Sequence, residues 1–199
     1  MSKSEQDFFD QLAERWDDMR SLDSARIEGL VNMVGFQEGD HVLDVGCGTG
    51  VLVPFVQNVI GERGLVTSVD FSSKMIERAI EKHKERIGVK FVVADIMKFQ
   101  PECDFDKIIC FNFFPHVTDK SQFLKKMLNM LAKDGCLVIM HDISRVAVNS
   151  IHGQCDAVKN DRLAEGDKIA NLFTEFGYHV TEIVDNDVIY FIKGLRANC

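Results

Sequence analysis

Between residues 41 and 140 the chain alternates runs of strand length with runs of helical period, and this alternation restricts the fold more than any other feature. His41-Val42-Leu43-Asp44-Val45, Leu65 to Val69, Val89 to Val93, Lys107 to Phe111 and Cys136 to Met140 read as five strands. Val51 to about Ile60, the face Met75, Ile76, Ala79, Ile80, and the face Phe123, Leu124, Met127, Leu128, Leu131 read as helices, with Ser72 or Ser73 capping the second. Strands separated by helices cannot pair as hairpins, so the order predicts a parallel sheet covered on both sides.

The ends depart from this pattern. Phe9, Leu12, Ala13, Trp16 and Met19, then Ile27, Leu30, Val31 and Val34 up to Gly35, predict two opening helices. Ser144 to Asp161 is polar and fits either a helix or a lid loop. Ile169, Leu172, Phe173 and Phe176 form a helix face closed by Gly177, and His179–Val184 pairs with Val188–Lys193 across Asp185-Asn186-Asp187. That hairpin adds an antiparallel edge. With three prolines and no repeat, no linker is placed, and residues 1–199 are expected to form one domain.

At 199 residues and 46% apolar, the chain is long enough to hold a core without a disulfide or metal staple. The cysteines at 47, 103, 110, 136, 155 and 199 contain no C-x-x-C pair, which speaks against a zinc ribbon or a thioredoxin-type site and for a reduced, cytoplasmic chain. A net charge of −8 disfavours nucleic acid and makes a small-molecule partner the expectation. No apolar run approaches the ~20 residues of a membrane span, and the first residues lack the build of a signal peptide.

The first strand ends at Gly46-Cys47-Gly48-Thr49-Gly50. Its spacing is not the Gly-x-Gly-x-x-Gly of a dinucleotide site, since Val51 stands where the third glycine belongs. No lysine lies in the loop, so it is not a P-loop. Asp44 lies two residues before the first glycine, at the carboxyl end of a strand, where an open α/β sheet binds its ligand. A carboxylate there suits a cation.

Val42-Leu43-Asp44-Val45-Gly46-Cys47-Gly48-Thr49-Gly50 resembles motif I of the class I S-adenosylmethionine-dependent methyltransferases. Asp70, Ala94-Asp95-Ile96 and Asn112-Phe113 follow in the family's order. The opening Phe9-x-x-x-Ala13-x-x-Trp16-Asp17 resembles the ubiquinone/menaquinone-biosynthesis C-methyltransferase type. The resemblance is good over residues 40 to 141 and fades beyond Asp142.

It implies an α/β, Rossmann-like, doubly wound, mostly parallel seven-stranded sheet over residues 40–199, with a terminal antiparallel hairpin, and residues 1–39 as an N-terminal helical extension. It also implies S-adenosyl-L-methionine as cofactor and S-adenosyl-L-homocysteine as product. Asp44, Gly46, Cys47, Gly48, Thr49, Gly50 and Phe71 would line the cofactor, with Asp70 on the ribose diol, Asp95 on the adenine amine, Met75 and Ile96 flanking the ring, and Asn112 and Phe113 along the methionine part. The reaction would be in-line transfer of a methyl group to a small acceptor. Cys47 is a frequent residue at its place in the family and is not read as a nucleophile.

A non-catalytic module binding the same ligand, an aminopropyltransferase and an NAD-dependent dehydrogenase are the rivals; the glycine spacing argues against the last.

His41, His83 and His179 sit in ordinary strand or helix contexts. His116 follows the fourth strand and His141 ends the fifth beside Asp142, so the topology brings them to the ligand side of the sheet. They are the candidates for substrate-side proton transfer, with Asp142 orienting His141; packing histidines are the bland alternative. His116, His141, Asp142 and His152 are also suitable metal ligands, but no spacing such as His-x-x-x-His supports a site, and no metal is expected. Trp16, the single tryptophan, fits a core position and a lid over the cofactor equally well.

Overall fold

The computed structural model describes residues 3–19 and 22–197; Cys199 lies outside them. The chain divides into two compact units, Met1–Gln100 and Pro101–Cys199.

The first unit holds α1 (Lys3–Leu12), α2 (Ser24–Val34), β1 (His41–Val45), α3 (Val53–Ile60), β2 (Leu65–Asp70), α4 (Ser73–Lys82) and β3 (Val89–Val93). Its strands are parallel in the order β3-β2-β1, with Asp44 opposite Ser68 and Asp70 opposite Val93. This register sets two carboxylates near the carboxyl ends of neighbouring strands. Helix α4 starts where Ser72 Oγ accepts from Met75 N at 3.1 Å, and it buries Met75, Ile76 and Ala79 while Ile80 stays exposed. Helix α2 is capped by Asp23, which accepts from Arg26 N, and ends at Gly35 in the left-handed conformation.

The first helix is shorter than its apolar pattern. The α1 helix stops at Leu12 and residues 13–19 run as turns, because Trp16 and Asp17 are drawn into contacts outside the helix, described below. Ala13 is buried as expected, and Met19 is exposed.

The second unit holds β4 (Phe105–Phe111), a 3₁₀ turn (Phe114–His116), α5 (Lys120–Met130), β5 (Leu131–His141), α6 (Arg145–Gly153), α7 (Gly166–Glu175), β6 (Tyr178–Asp185) and β7 (Tyr190–Arg196). Leu131, expected on the α5 face, is extended and opens β5 opposite Phe105. The strand therefore begins five residues before the apolar run Cys136–Met140. Lys133-Asp134-Gly135 gives it the polarity of a turn, and Asp134 carries a φ of 64° where the register slips. The polar segment 144–161 is helical as far as Gly153, started by Ser144, whose hydroxyl accepts from Ala147 N.

The terminal hairpin forms, but its last strand lies inside the unit. β7 is antiparallel to β5 on one side and to β6 on the other, giving the order β4-β5-β7-β6 and leaving β6 at the edge. The burial patterns explain the exchange: Tyr190, Phe191 and Ile192 are fully buried, whereas β6 alternates toward solvent. Seven strands are described, and within the second unit β4, β5 and β6 run in one direction and β7 runs against them. Among the described residues no helix is long and apolar enough to cross a membrane.

Candidate functional site

In the first unit the loop after β1 is held from β2. Gly46 N and Cys47 N donate to Val69 O, and Gly50 N donates to Cys47 O at 2.9 Å. Asp70 closes the arrangement: its Oδ2 accepts from Gly48 N at 2.9 Å and its Oδ1 from Ser72 N at 2.9 Å. Ser72, not Asp70, caps α4. The backbone of Phe71 acts on Asp70 as well, so three amides brace the loop and the start of α4 through this one carboxylate.

The glycines at 48 and 50 are needed for shape. Both have positive φ, and a side chain at Gly50 would meet the His83 ring at 3.0 Å. His83 keeps the structural role expected of it, stacked on Phe91 with ring centroids 5.9 Å apart, but it also forms the back wall of the loop. Burial, then the neighbouring Lys82 and Arg86, push His83 below the ordinary histidine range, so it stays neutral at pH 7.

Asp44 is almost fully buried, and burial followed by the charge of Asp70 pushes its carboxyl up to about 7. Asp70 is raised by burial to about 6, against the pull of its backbone donors. Two buried carboxyls of this kind, with no basic residue in the loop, are chemically complementary to a cation. Burial, Asp44 and Asp70 push the Cys47 thiol well above its ordinary value, which leaves it a poor nucleophile.

The segment that follows α1 lies against this loop. Thr49 Oγ1 donates to Asp17 Oδ1 at 2.6 Å, and Lys82 Nζ donates to Asp17 Oδ2 at 2.8 Å. Ser72 Oγ donates to Asp10, and Gln6 Nε2 to Phe71 O at 3.0 Å. Phe9 meets both Trp16 and Phe71 edge to face, and the Trp16 indole nitrogen is 3.6 Å from where a Gly48 side chain would begin. Trp16 is thus an aromatic cover beside the loop rather than part of the core.

Met75 is buried in α4 and Phe71 is half-buried. After β3, Asp95 Oδ1 accepts from Met97 N at 3.0 Å and Ile96 is buried. Asp44, Gly46, Cys47, Gly48, Thr49, Gly50, Asp70, Phe71 and Met75 are therefore grouped about the loop and the start of α4, and Asp95 and Ile96 follow the adjoining strand.

In the second unit Asn112 ends β4 with a φ of 52°, and its side chain donates to Asp142 Oδ1 at 2.8 Å. A non-glycine residue in this region is strained, and Asn is among the few that adopt it. Asn112→Ala is expected to cost about 1–2 kcal/mol in backbone conformation and about 1 kcal/mol more in the lost hydrogen bond. Asn112→Gly should lose only the second. Thermal denaturation of the two variants checks the order, and equal stability would remove the backbone argument.

Asp142, expected to orient His141, accepts from Asn112. His141 is buried with its ring edge-to-face on Tyr190, 5.9 Å between centroids. Phe113 is buried against Phe123. His116 bonds through Nδ1 to Asp161 Oδ2 at 2.6 Å, and its ring lies 5.0 Å from that of His152, whose Nδ1 meets Asp161 O at 2.6 Å. Among the described residues no group of three or more His, Cys, Asp or Glu side chains is placed to hold a metal ion.

Sequence reasoning missed Asp10, Asp17 and Asp161. Asp10 lies in a polar helix and Asp17 in the turns that follow it, where carboxylates are ordinary. Asp161 lies 45 residues from His116, and nothing in the local pattern links them.

A family model described as a methyltransferase domain matches residues 36–179. The ubiquinone/menaquinone biosynthesis C-methyltransferase of Vibrio vulnificus strain YJ016 is 28% identical over 180 residues, 85% of this chain and 69% of that relative. Among solved structures, a SAM-dependent methyltransferase from Aquifex aeolicus superimposes with a TM-score of 0.74 at 20% identity, covering 94% of this chain and 98% of that one. The N-methyltransferase NodS from Bradyrhizobium japonicum WM9, solved with S-adenosyl-L-homocysteine, gives 0.73 at 17% identity, covering 98% and 100%.

Proposed function

The chain belongs to the methyltransferase domain family, and from that premise we propose that it binds S-adenosyl-L-methionine in the first unit and methylates a small-molecule acceptor, leaving S-adenosyl-L-homocysteine. The observation that carries the reading is Asp70, fixed by Gly48 N and Ser72 N at the end of β2, next to the buried Asp44. When bound, the cofactor supplies an electrophilic methyl group on a sulfonium. The chain's own residues have the task of holding and aligning, a contribution that reaches ~7–11 kcal/mol for well-oriented reactants.

In this reading Asp70 accepts from the ribose hydroxyls, Asp95 accepts from the adenine amine, and Met75 and Ile96 flank the base. The loop Gly46–Gly50 and Phe71 line the ligand, and Asn112 and Phe113 serve its amino-acid end. His116 and His141, with Asp142, stand on the acceptor side. Residues 1–199 act as one domain, with 1–39 as its helical extension. The net charge of −8 supports a small acceptor over nucleic acid. A cytoplasmic setting agrees with the lack of any disulfide among the described cysteines.

Calorimetric titration with S-adenosyl-L-homocysteine, with NAD in a parallel run, tests the reading. Micromolar binding of the first and none of the second is expected; no binding of the first would remove both cofactor and enzyme class.

A pH dependence follows from the two raised carboxyls. Asp44 and Asp70 hold their protons more tightly in the folded chain than at the unfolded value near 3.8. Their contribution to stability is therefore fully present below about pH 4 and is lost as pH rises through about 6 to 7. A cation favours the ionised pair, so binding of S-adenosyl-L-methionine should tighten over the same interval, by up to about tenfold per pH unit. Melts of the unliganded protein and titrations from pH 5 to 8 should move in opposite directions, and Asp44→Asn should flatten both.

A further inference from the structure

Residues 6–19 form a strap across the loop Gly46–Gly50 and the start of α4, and matched charges rather than a buried apolar face hold it there. Resting on the cofactor reading, we propose that this strap is the gate through which S-adenosyl-L-methionine enters and S-adenosyl-L-homocysteine leaves, and that Asp17 is the positioning residue that latches it. Cofactor exchange therefore quickens as ionic strength rises.

Three observations support this. The first is the latch itself. Asp17 accepts from Thr49 Oγ1 on one oxygen at 2.6 Å and from Lys82 Nζ on the other at 2.8 Å, so one carboxylate ties the strap to the loop and to the end of α4. Burial alone would raise this carboxyl, yet its bonds to Lys82 and Thr49 and the charges of Lys82 and Arg78 hold it below the ordinary range, so it is ionised at pH 7. The second is the match of charges. Lys74, Arg78 and Lys82 recur every fourth residue along one face of α4, and Asp10, Glu14 and Asp17 recur at near-helical spacing along the strap. Lys74, which also pairs with Glu77, is acted on by Asp10 and Glu14, and Asp17 by Lys82 and Arg78. The third is how little apolar surface the strap buries. Among the side chains of residues 6–19 Ala13 alone is buried, while Phe9, Leu12 and Trp16 stay partly exposed. Segments with few buried contacts open at low cost, and exposed ion pairs are individually weak and screened by salt.

The strap touches the parts assigned to the ligand. Gln6 donates to Phe71 O, Phe9 meets the Phe71 ring, Asp10 accepts from Ser72, and the Trp16 indole nitrogen is 3.6 Å from where a Gly48 side chain would begin. While Asp17 holds Thr49 and Lys82, these groups close one side of the loop; when it lets go, Trp16 is carried off with it. A gate changes rates rather than the free-energy difference between bound and free states. With the strap closed in both, a looser latch multiplies entry and exit by the same factor and leaves Kd nearly constant. A side chain that only contacts the ligand changes exit and affinity, not entry.

The test measures kon and koff of tritiated S-adenosyl-L-homocysteine, a ligand without net charge at pH 7, by rapid filtration at about 0.05 and about 0.5 M salt. Trp16 is the single tryptophan, so quenching of its emission by uncharged acrylamide reports the strap alone. In the unaltered protein both rates should rise about threefold with salt, and quenching with them. At low salt Asp17→Asn should raise both rates about tenfold and Lys82→Gln about threefold. Kd should stay within about twofold throughout, the salt response should fall away in Asp17→Asn, and the double variant should fall short of the product of the single effects. A rise in koff with kon constant makes Asp17 an ordinary ligand contact, and a rise in quenching with both rates constant separates the strap from exchange; either overturns the proposal, as does a salt response that Asp17→Asn keeps. Should the variants not fold, the salt series on the unaltered protein decides, and rates that ignore salt overturn the proposal. Failure of the unaltered protein to bind S-adenosyl-L-homocysteine overturns the underlying cofactor reading and is seen separately.

Discussion

Asp70→Ala is expected to weaken S-adenosyl-L-homocysteine binding by about 1.5–3 kcal/mol and to cost the unliganded fold about 2–4 kcal/mol as well. The first loss comes from charge-assisted hydrogen bonds to the ribose. The second comes from Gly48 N and Ser72 N, which would lose the acceptor that ties the loop to the start of α4. Because Asp70 itself is raised to about 6, removing it also relieves a buried charge at high pH. The stability loss should therefore be larger at pH 5 than at pH 8. Asp70→Asn, with one acceptor oxygen left, should fall between. Calorimetry below the variant's melting range separates the two effects; unchanged affinity would remove the ribose role while leaving the bracing role intact.

Gly194→Val should be the most damaging single change away from the site. A side chain at 194 would begin 2.5 Å from Phe173 Cδ1 and 3.1 Å from Tyr178 Cβ. Phe173 is fully buried, with its ring centroid 4.9 Å from that of Tyr178, and has no room to swing. The backbone is equally confined, since Gly194 pairs with Leu137 on one side and Val180 on the other. Overpacking of this kind costs about 3 kcal/mol, or roughly 6–12 °C in melting temperature for a chain of this size. Adding Phe173→Leu should return part of the loss, and strictly additive effects would place the strain elsewhere.

The sequence was most informative where the determinant is local. His41–Val45 and Val89–Val93 form strands with the bounds read from their apolar runs, because polar turns flank both. Ser72 starts α4 for the same reason. Where the determinant is a distant contact, the pattern misled or was silent. The apolar spacing through Trp16 and Met19 continues a helix that the bond between Asp17 and Thr49 helps to end. Lys133-Asp134-Gly135 reads as a loop, yet it lies within β5. The candidate cofactor motifs stand out in the sequence because each lies at the end of its own strand. The bonds of Asp142 to Asn112, 30 residues back, and of His116 to Asp161, 45 residues on, join distant stretches and could not be read.

The position of β7 has a consequence for how the protein is made. The strand pairings of the first unit are complete once residue 93 has been synthesised. In the second unit, β5 and β6 are delivered before the strand that separates them, so each waits with an open edge until Tyr190–Arg196 emerges. At about 5–20 residues per second, a ribosome needs several seconds to pass from the end of β5 to the end of β7. During that interval an apolar strand meant for the interior is open to mispairing. Aggregation during expression should thus respond to translation speed over residues 142–196.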